Sequence, residues 1–277
     1  MKLRALAIIV CAVCWTLALL PVQWLALRLL WRATSEAVPM LYHRGLALLL
    51  RLKVRDYGSI ARDRPILYVV NHVSWLDIVV LDTLLKGSFV AKHEVVAWPF
   101  FGLLARLQRC VFIERKAHRT KDHKDAMTER LESGDAIILF PEGTSSDGMR
   151  LLPFKSAFFS LAERHFDGKP LTVQPVSLAY SRLNGLPVGR RWMSVFAWVG
   201  DEDLIPHLWR FLKAGPSEAE VTFHPPVTID QFPSRKAMAA HCHTVIAHGV
   251  SASLSGRRTP APQPPQQPLP QAALAQS

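Results

Sequence analysis

The residues best suited to chemistry are a histidine and an aspartate five positions apart, His72 and Asp77. On a regular helix five positions would turn these side chains roughly 140° apart, so they can meet only if His72 precedes the helix. A carboxylate that accepts the proton of one imidazole nitrogen leaves the other nitrogen free as a general base. The alternative is an ordinary turn histidine beside an acid that complements the helix dipole.

The residues around this pair predict a strand, a turn and a helix. Residues 66–70 form a continuous apolar run, which is typical of a strand buried on both faces. Apolar residues then recur at helical spacing over residues 75–84. Ser74 is a candidate N-cap with Asp77 at the third helical position. This arrangement would place His72 in the turn, with Asp77 behind it.

Polar residues also follow two other predicted strands. Glu142, Gly143 and Thr144 come directly after an apolar strand, where an α/β sheet places its binding loops. Gly143 permits close backbone approach, and hydroxyls and amides of this loop can donate to phosphate oxygens. Arg115 follows the strand predicted over residues 110–114, and its guanidinium suits bidentate phosphate binding. The alternative for the loop is an ordinary turn, and the alternative for Arg115 is a surface arginine.

The net charge limits the possible binding partners, and the cysteine content indicates the redox compartment. With 33 Lys and Arg against 22 Asp and Glu, the net charge of +11 suits nucleic acid, an anionic membrane or phosphate-bearing substrates. The chain shows no zinc-finger spacing, RNA-binding aromatic signature or basic heptad region, so we expect no nucleic-acid partner. The four cysteines suggest no disulfide framework, which indicates a reducing compartment. The histidines near Cys242 form one irregular cluster, and we expect no metal site.

An uncharged apolar stretch over residues 5–27 predicts a membrane helix, because 23 helical residues span about 34 Å against roughly 30 Å of hydrocarbon. Basic residues are more frequent after the stretch than before it, so the bulk of the protein is expected at the cytoplasmic face of the inner membrane. A cleaved signal peptide is the alternative, although the stretch is longer than a signal peptide needs. Pro21 and Gln23 also permit a helical hairpin with residues 38–52.

The remaining pattern predicts an α/β fold whose mainly parallel, twisted sheet is flanked by helices. The other strand candidates are residues 88–92, 110–114, 136–140, 171–180, 193–199 and 220–223. A charged helix is predicted over residues 118–133, before Gly134. We divide the chain into an N-terminal membrane helix (1–35), a catalytic domain (36–250) and a tail (251–277). The tail is rich in Pro, Gln and Ala without hydrophobic periodicity, so we expect disorder.

Four motif blocks resemble those of the glycerolipid acyltransferase family typified by 1-acylglycerol-3-phosphate acyltransferase, over roughly residues 65–176. The first block is Asn71, His72 and Asp77. The second is similar to the family's Lys-x-Glu, Pro, Gly, Phe-Ile-x-Arg pattern, matched by Lys92, Glu94, Pro99, Gly102, Phe112, Ile113 and Arg115. The others are Phe140–Thr144 and Gln174–Val176. Arg109 and Ala157 depart from the family by replacing glycines, and both are expected to adjoin the acceptor pocket.

The resemblance implies transfer of a fatty acyl group from acyl-CoA or acyl carrier protein to the free hydroxyl of a lysophospholipid. The favoured acceptor is 1-acylglycerol 3-phosphate, which gives phosphatidic acid, and a lyso-ornithine lipid is the alternative. His72 would act as general base, oriented by Asp77. Asn71, Arg115 and the loop of Glu142, Gly143 and Thr144 would bind the acceptor. No covalent acyl-enzyme, cofactor or metal is expected.

Two other functions remain as alternatives. A serine hydrolase would use Ser74 or Ser145, but the chain has no Gly-x-Ser-x-Gly elbow. A non-enzymatic membrane adaptor could keep the fold, and it would require His72 and Asp77 to be idle.

Overall fold

The computed structural model describes residues 2–113 and 120–257. Arg115 and most of the predicted tail therefore lie outside the described residues. The helices are α1 (Lys2–Arg28), α2 (Arg32–Leu50), α3 (Leu76–Asp82), α4 (Phe101–Leu107), α5 (Thr120–Glu132), α6 (Arg190–Met193), α7 (Leu204–Ala214) and α8 (Arg235–Ser255). Short 3₁₀ helices occupy His93–Ala97, Ser156–Leu161 and Ile229–Gln231.

The strands confirm a mainly parallel sheet. They are β1 (Leu52–Gly58), β2 (Ile66–Val70), β3 (Ser88–Lys92), β4 (Val111–Ile113), β5 (Ala136–Leu139), β6 (His165–Phe166), β7 (Lys169–Pro170), β8 (Thr172–Leu183), β9 (Leu186–Pro187) and β10 (Ser217–Phe223). The main sheet has the order β1-β10-β8-β2-β5-β3-β4, with β9 paired to β8. β8, β2, β5, β3 and β4 are parallel, whereas β10 is antiparallel to β8.

Alternate residues of the central strands enter two cores. Tyr68 and Ile138 face the core shared with α1, α2, α3 and α7, while Val69 and Leu139 face the core shared with α5 and α8. This follows from the two-residue period of a strand, which sends successive side chains to opposite faces. Burial on both faces explains the continuous apolar run of β2.

Three local predictions are corrected. The apolar segment 193–199 is not a strand, because Ala197 N bonds Met193 O in a helical turn and the apolar side chains fill the core from an irregular segment. β1 was not predicted, since this edge strand carries mostly polar residues. α8 continues to Ser255, beyond the predicted tail boundary at residue 251, because Val250 and Leu254 still pack on the core.

The N-terminal helices form the predicted hairpin. Trp15 Nε1 donates to Tyr42 O at 3.1 Å, and a Cβ on Gly45 would come within 2.4 Å of that same nitrogen. Gln23 Nε2 donates to Ser35 O at 3.1 Å and to Leu107 O at 2.7 Å, so it joins α1 to α2 and to the end of α4. Among the described residues, α1 is the helix that is long and apolar enough to cross a membrane by length and composition.

Candidate active site

The carboxyl end of β2 brings His72 against Asp77. His72 follows the strand, Asp77 lies in the first turn of α3, and His72 Nδ1 is 2.8 Å from Asp77 Oδ2. The Asp77 side chain is fully buried, whereas 22% of the His72 side chain is exposed. With Nδ1 held by the carboxylate, Nε2 is the nitrogen that can receive a proton from a substrate.

Asp77 is held by three further donors. Its Oδ2 accepts the backbone N–H groups of Val73 at 2.6 Å and Ser74 at 2.9 Å, and its Oδ1 accepts the hydroxyl of Tyr180 at 2.7 Å. Burial, followed by the negative charge of Asp77, raises the pKa of Tyr180 well above its ordinary value, so Tyr180 stays protonated and donates. These bonds stabilise the buried carboxylate and fix its orientation.

The predicted N-cap role of Ser74 is wrong. α3 begins at Leu76 without a side-chain cap, and the buried Ser74 hydroxyl has no hydrogen-bond partner within the described part of the chain. Asp77 satisfies the backbone N–H of Ser74 instead. The acidic residue therefore both caps the turn and orients the imidazole.

Glu142 lies behind the catalytic turn. Its Oε1 accepts the backbone N–H of His72 and its Oε2 accepts that of Leu152, both at 2.8 Å. Only 2% of Glu142 is exposed, and burial raises its pKa from 4.5 to about 7 against the opposing effect of these two bonds. Because both oxygens bind backbone groups, Glu142 supports the turn that carries His72, and its expected contact with the acceptor stays a prediction.

The rest of the loop lies beside the imidazole. The Phe140 ring stacks on His72 with centroids 4.2 Å apart, and Ser146 donates from both N and Oγ to His72 O. Gly143 has φ +71°, and a Cβ there would come within 2.7 Å of Lys155 Nζ. Thr144, the next residue, is exposed. An acceptor headgroup can therefore meet Thr144 and Lys155, a cation that the sequence analysis did not choose as a site residue.

Asn71 is part of the sheet. Its Nδ2 donates to Leu178 O at 2.9 Å and its Oδ1 accepts Leu178 N at 2.8 Å, with the residue 2% exposed. The amide thus continues the pairing of β2 with β8 beyond the strand. Asn71 therefore holds the turn that carries His72 to the neighbouring strand, and its expected role in binding the acceptor stays a prediction.

Arg109 lies at the opposite edge of the sheet from His72, and its expected place beside the acceptor pocket stays a prediction. It bonds Asp135 at 2.5 Å and Glu36 at 3.4 Å, and Asp135 immediately precedes β5. Ala136 pairs with Ile66, the first residue of β2, which is six residues before His72 and thus roughly 20 Å away along an extended chain. The φ of +62° at Arg109 explains why glycine suits this position.

Ala157 is the second position at which the chain departs from the family pattern. Ala157 is exposed in the 3₁₀ helix that follows Lys155, so it does adjoin the site. Within the described residues, no group of three or more His, Cys, Asp and Glu side chains could hold a metal ion.

Comparison with known proteins agrees with this geometry. A sequence model of the acyltransferase family, described as "Acyltransferase", matches residues 51–179. A lyso-ornithine lipid O-acyltransferase of Brucella abortus is 39% identical over 262 residues, covering 93% of this chain and 98% of the relative. A 1-acyl-sn-glycerol-3-phosphate acyltransferase of Neisseria gonorrhoeae is 38% identical over 110 residues, covering 39% of this chain and 43% of the relative.

The fold also has a solved counterpart. The crystal structure of the 1-acyl-sn-glycerophosphate acyltransferase of Thermotoga maritima matches with a TM-score of 0.69 and 22% identity. The match covers 93% of this chain and 97% of that one. The chain therefore belongs to the acyltransferase family that includes the lyso-ornithine lipid O-acyltransferases and the 1-acyl-sn-glycerol-3-phosphate acyltransferases.

Proposed function

We propose that this protein transfers a fatty acyl group from a thioester to the free hydroxyl of a lyso-ornithine lipid. The choice of acceptor rests on how much of this chain is similar to each relative. Similarity to the Brucella enzyme extends over 93% of the chain, whereas similarity to the Neisseria glycerol phosphate enzyme is confined to 39%. The first relative therefore shares the segments outside the catalytic motifs, which are free to differ between acceptors.

A 1-acylglycerol 3-phosphate acceptor is the second candidate. The four motif blocks and the Neisseria relative support it. The two acceptors differ in charge, because glycerol phosphate is an anion while ornithine supplies an amine and a carboxylate. Lys155, whose ammonium group lies beside Gly143, suits the phosphate or the carboxylate equally, so this cation alone does not separate the two acceptors.

The geometry supports a direct transfer. His72 Nε2 removes the acceptor's hydroxyl proton while the oxygen attacks the thioester carbonyl, and Asp77 stabilises the imidazolium that forms. The attack forms the new C–O bond and a tetrahedral oxyanion, which collapses with cleavage of the C–S bond while the imidazolium gives its proton to the leaving thiolate. The amides of Val73 and Ser74 bind Asp77 and are not available to the oxyanion. We propose no cofactor or metal, because these proton transfers need only the imidazole.

The donor and the location are part of the same proposal. The thioester donor is acyl-CoA or an acylated acyl carrier protein, and both are made in the cytoplasm. The lipid acceptors named for the relatives and the apolar α1 support membrane association. The excess of basic residues after α1 supports a catalytic domain on the cytoplasmic face.

A lysolipid panel tests this function. Purified full-length protein is incubated with lyso-ornithine lipid, 1-acylglycerol 3-phosphate and other lysolipids, each with acyl-CoA or acyl carrier protein, and products are measured by mass spectrometry. We expect lyso-ornithine lipid to give the highest kcat/KM and His72→Ala to lower its turnover by about 10²–10⁴-fold. A preference for 1-acylglycerol 3-phosphate would establish the second candidate. Fatty acid released without acceptor would indicate a hydrolase, and no turnover would favour an adaptor.

A further inference from the structure

The proposed acceptor carries two opposite charges, and Lys155 can match only one of them. In a lyso-ornithine lipid the α-amine of ornithine is joined as an amide to a hydroxy fatty acid, so the headgroup keeps a carboxylate and a terminal ammonium group. With bonds of about 1.3–1.5 Å, the carboxylate lies roughly 7 Å and the ammonium roughly 11 Å from the reacting hydroxyl when the headgroup is extended. A site that selects this acceptor therefore needs an anion as well as a cation close to His72.

Asp147 lies at the end of the loop that covers the catalytic turn. Ser146, the residue before it, donates from N at 2.8 Å and from Oγ at 2.9 Å to His72 O. Gly148, the residue after it, packs so closely on the turn that a Cβ there would come within 3.0 Å of Val73 Cγ1. Because consecutive Cα atoms are about 3.8 Å apart, the Cα of Asp147 lies within about 8 Å of His72 O.

The carboxylate of Asp147 is held in place and keeps one oxygen available. Its Oδ1 accepts the backbone N–H groups of Met149 at 2.9 Å and Arg150 at 3.0 Å, which fixes the side chain against its own loop. Among the described residues, its Oδ2 has no hydrogen-bond partner and its charge has no ion-pair partner, the nearby Arg150 guanidinium included. The side chain is exposed, so this oxygen can bind an ammonium group of a ligand.

Lys155 approaches the first half of the same loop. Its ammonium group lies 2.7 Å from the position that a Cβ on Gly143 would occupy. Gly143 follows Glu142, whose carboxylate accepts the backbone N–H of His72. The loop thus begins at the N–H of His72 and returns to the carbonyl of the same residue, with Lys155 beside its first half and Asp147 at its end.

The loop side chains between these two charges are neutral. Thr144 is exposed, and the Ser145 hydroxyl donates to Trp198 O. The loop from Gly143 to Asp147 therefore presents one negative charge beside the positive charge of Lys155. A phosphate monoester would be attracted by Lys155 and repelled by Asp147, whereas an ornithine headgroup has a group of opposite charge for each of them.

We propose that Asp147 binds the terminal ammonium group of the acceptor while Lys155 binds its carboxylate, so that Asp147 determines the preference for lyso-ornithine lipid over 1-acylglycerol 3-phosphate. This inference rests on the proposed function. Neither residue touches the reacting atoms, because both hold the headgroup and thereby place the hydroxyl against His72 Nε2. Loss of either contact should change kcat/KM for the acceptor and leave the KM of the donor unchanged.

Asp147→Asn removes the charge without disturbing the loop. The asparagine Oδ1 still accepts the N–H groups of Met149 and Arg150, so the melting temperature should stay unchanged. Purified full-length variant and wild type are compared on lyso-ornithine lipid and on the same lipid with its terminal amine acetylated. The wild type should prefer the free amine by about tenfold in kcat/KM, the order expected for a hydrogen bond to a charged group, and the variant should use both acceptors equally.

Lys155→Gln provides the crossed comparison. This variant should lose the preference for lyso-ornithine lipid over the methyl ester of its carboxylate, and it should keep the preference for the free amine. Asp147→Asn should show the reverse pattern. If either variant lost both preferences together, the loop would be distorted and the separate contacts proposed for the two residues would be contradicted.

Charge reversal should redirect the acceptor preference. Asp147→Lys removes the partner of the ammonium group and adds a second cation for phosphate. With each change at about tenfold, the ratio of kcat/KM for 1-acylglycerol 3-phosphate to that for lyso-ornithine lipid should rise about a hundredfold. An unchanged ratio would contradict the role of Asp147.

Asp167→Asn is the matched control. Asp167 is exposed in the turn between β6 and β7, ahead of β8, whose first residue pairs with Ile66 at the amino edge of the sheet. This variant loses the same charge far from His72, so it should keep the wild-type preference for the free amine. An effect equal to that of Asp147→Asn would show that net charge, and not a contact with the headgroup, sets the preference.

The wild-type results separate this inference from the proposed function. A wild type that prefers 1-acylglycerol 3-phosphate refutes the proposed function and this inference with it. A wild type that prefers lyso-ornithine lipid but uses the acetylated amine equally well supports the proposed function and refutes the role of Asp147. The same conclusion follows if Asp147→Asn keeps the wild-type preference for the free amine.

Discussion

The two ends of the parallel strands carry polar clusters of opposite construction. At the carboxyl ends, His72, Asp77 and Tyr180 form a chain of hydrogen bonds in which one imidazole nitrogen faces outward. At the amino ends, Arg32 and Arg109 share Asp135 in ion pairs of 2.8 and 2.5 Å. In the first cluster, His72 Nε2 has no hydrogen-bond partner among the described residues. In the second cluster, the arginines and the carboxylate pair with one another.

This difference indicates that the carboxyl-edge cluster serves the reaction and that the amino-edge cluster serves stability. The amino-edge cluster borders a cavity of about 220 Å³, yet Arg32 and Arg109, which line it, are held by Asp135 and Glu36. Such pairs near the surface contribute roughly 0.2–1 kcal/mol each and hold no group ready for proton transfer. Substitutions at the carboxyl edge should therefore impair activity, and those at the amino edge should leave it nearly intact.

The largest expected effect is that of His72→Ala. Loss of a general base costs about 10²–10⁴-fold in turnover, so kcat for acyl transfer should fall by this order. Circular dichroism and thermal unfolding should show little change, because the imidazole is partly exposed at a turn. Near wild-type turnover in this variant would mean that the carboxyl-edge cluster takes no part in the mechanism.

Tyr180→Phe should have the next largest effect, about tenfold in kcat. It leaves Asp77 Oδ1 without its hydroxyl donor, at a cost of about 1–3 kcal/mol in unfolding free energy. A carboxylate with one donor fewer stabilises the imidazolium more strongly, so the acidic limb of the pH profile of kcat/KM should move to higher pH.

The pH profile distinguishes positioning from packing in this variant. A tyrosine that only fills the core would lower stability and leave the acidic limb where it is. Its stacking partner Phe196, with ring centroids 4.8 Å away, provides the control, since Phe196→Leu disturbs packing without touching the Asp77 bond.

Glu142→Gln should act on the pH dependence of stability. Because burial raises the pKa of Glu142 to about 7 in the folded state, the wild type should lose stability as pH rises from about 4.5 to 7. Glutamine does not ionise, so the difference between variant and wild type should shift in favour of the variant over this range, by up to roughly 3 kcal/mol. Denaturant unfolding across pH measures it, and parallel curves would contradict this ionisation.

Arg109→Gly should have the smallest effect. It relieves the positive φ and loses the ion pair with Asp135, two opposing changes of about 1 kcal/mol or less. Acceptor kcat/KM should remain within about twofold of wild type. A changed headgroup preference, measured on the lysolipid panel, would instead connect the amino edge to the acceptor site.

Sequence reasoning succeeded where the determining interactions are local. His72 and Asp77 are five residues apart, and the buried run of β2 followed by a helix almost fixes their meeting. The α/β class and the hairpin could also be predicted, because periodicity and apolar length report them directly. Arg115 stays a prediction as an acceptor ligand, since it lies outside the described residues.

The rest depends on contacts between distant parts of the chain. Tyr180 reaches Asp77 across 103 residues, and nothing in its own neighbourhood marks a tyrosine as a partner of an aspartate. The backbone partners of Asn71 and Glu142 were not predicted for the same reason. A polar residue near a catalytic histidine has the same local appearance whether it faces a ligand or a backbone N–H group.

The amide pairing of Asn71 with Leu178 has a consequence for biosynthesis. The two residues are 107 positions apart, and together with the Tyr180 bond they tie the catalytic turn to β8. During translation the nascent chain must therefore extend through β8 before the turn can adopt its working geometry, whereas α1 leaves the ribosome long before. If α1 is the membrane anchor that we propose, attachment to the bilayer precedes catalytic competence, and an incompletely synthesised chain that ends before β8 would be tethered to the membrane but inactive.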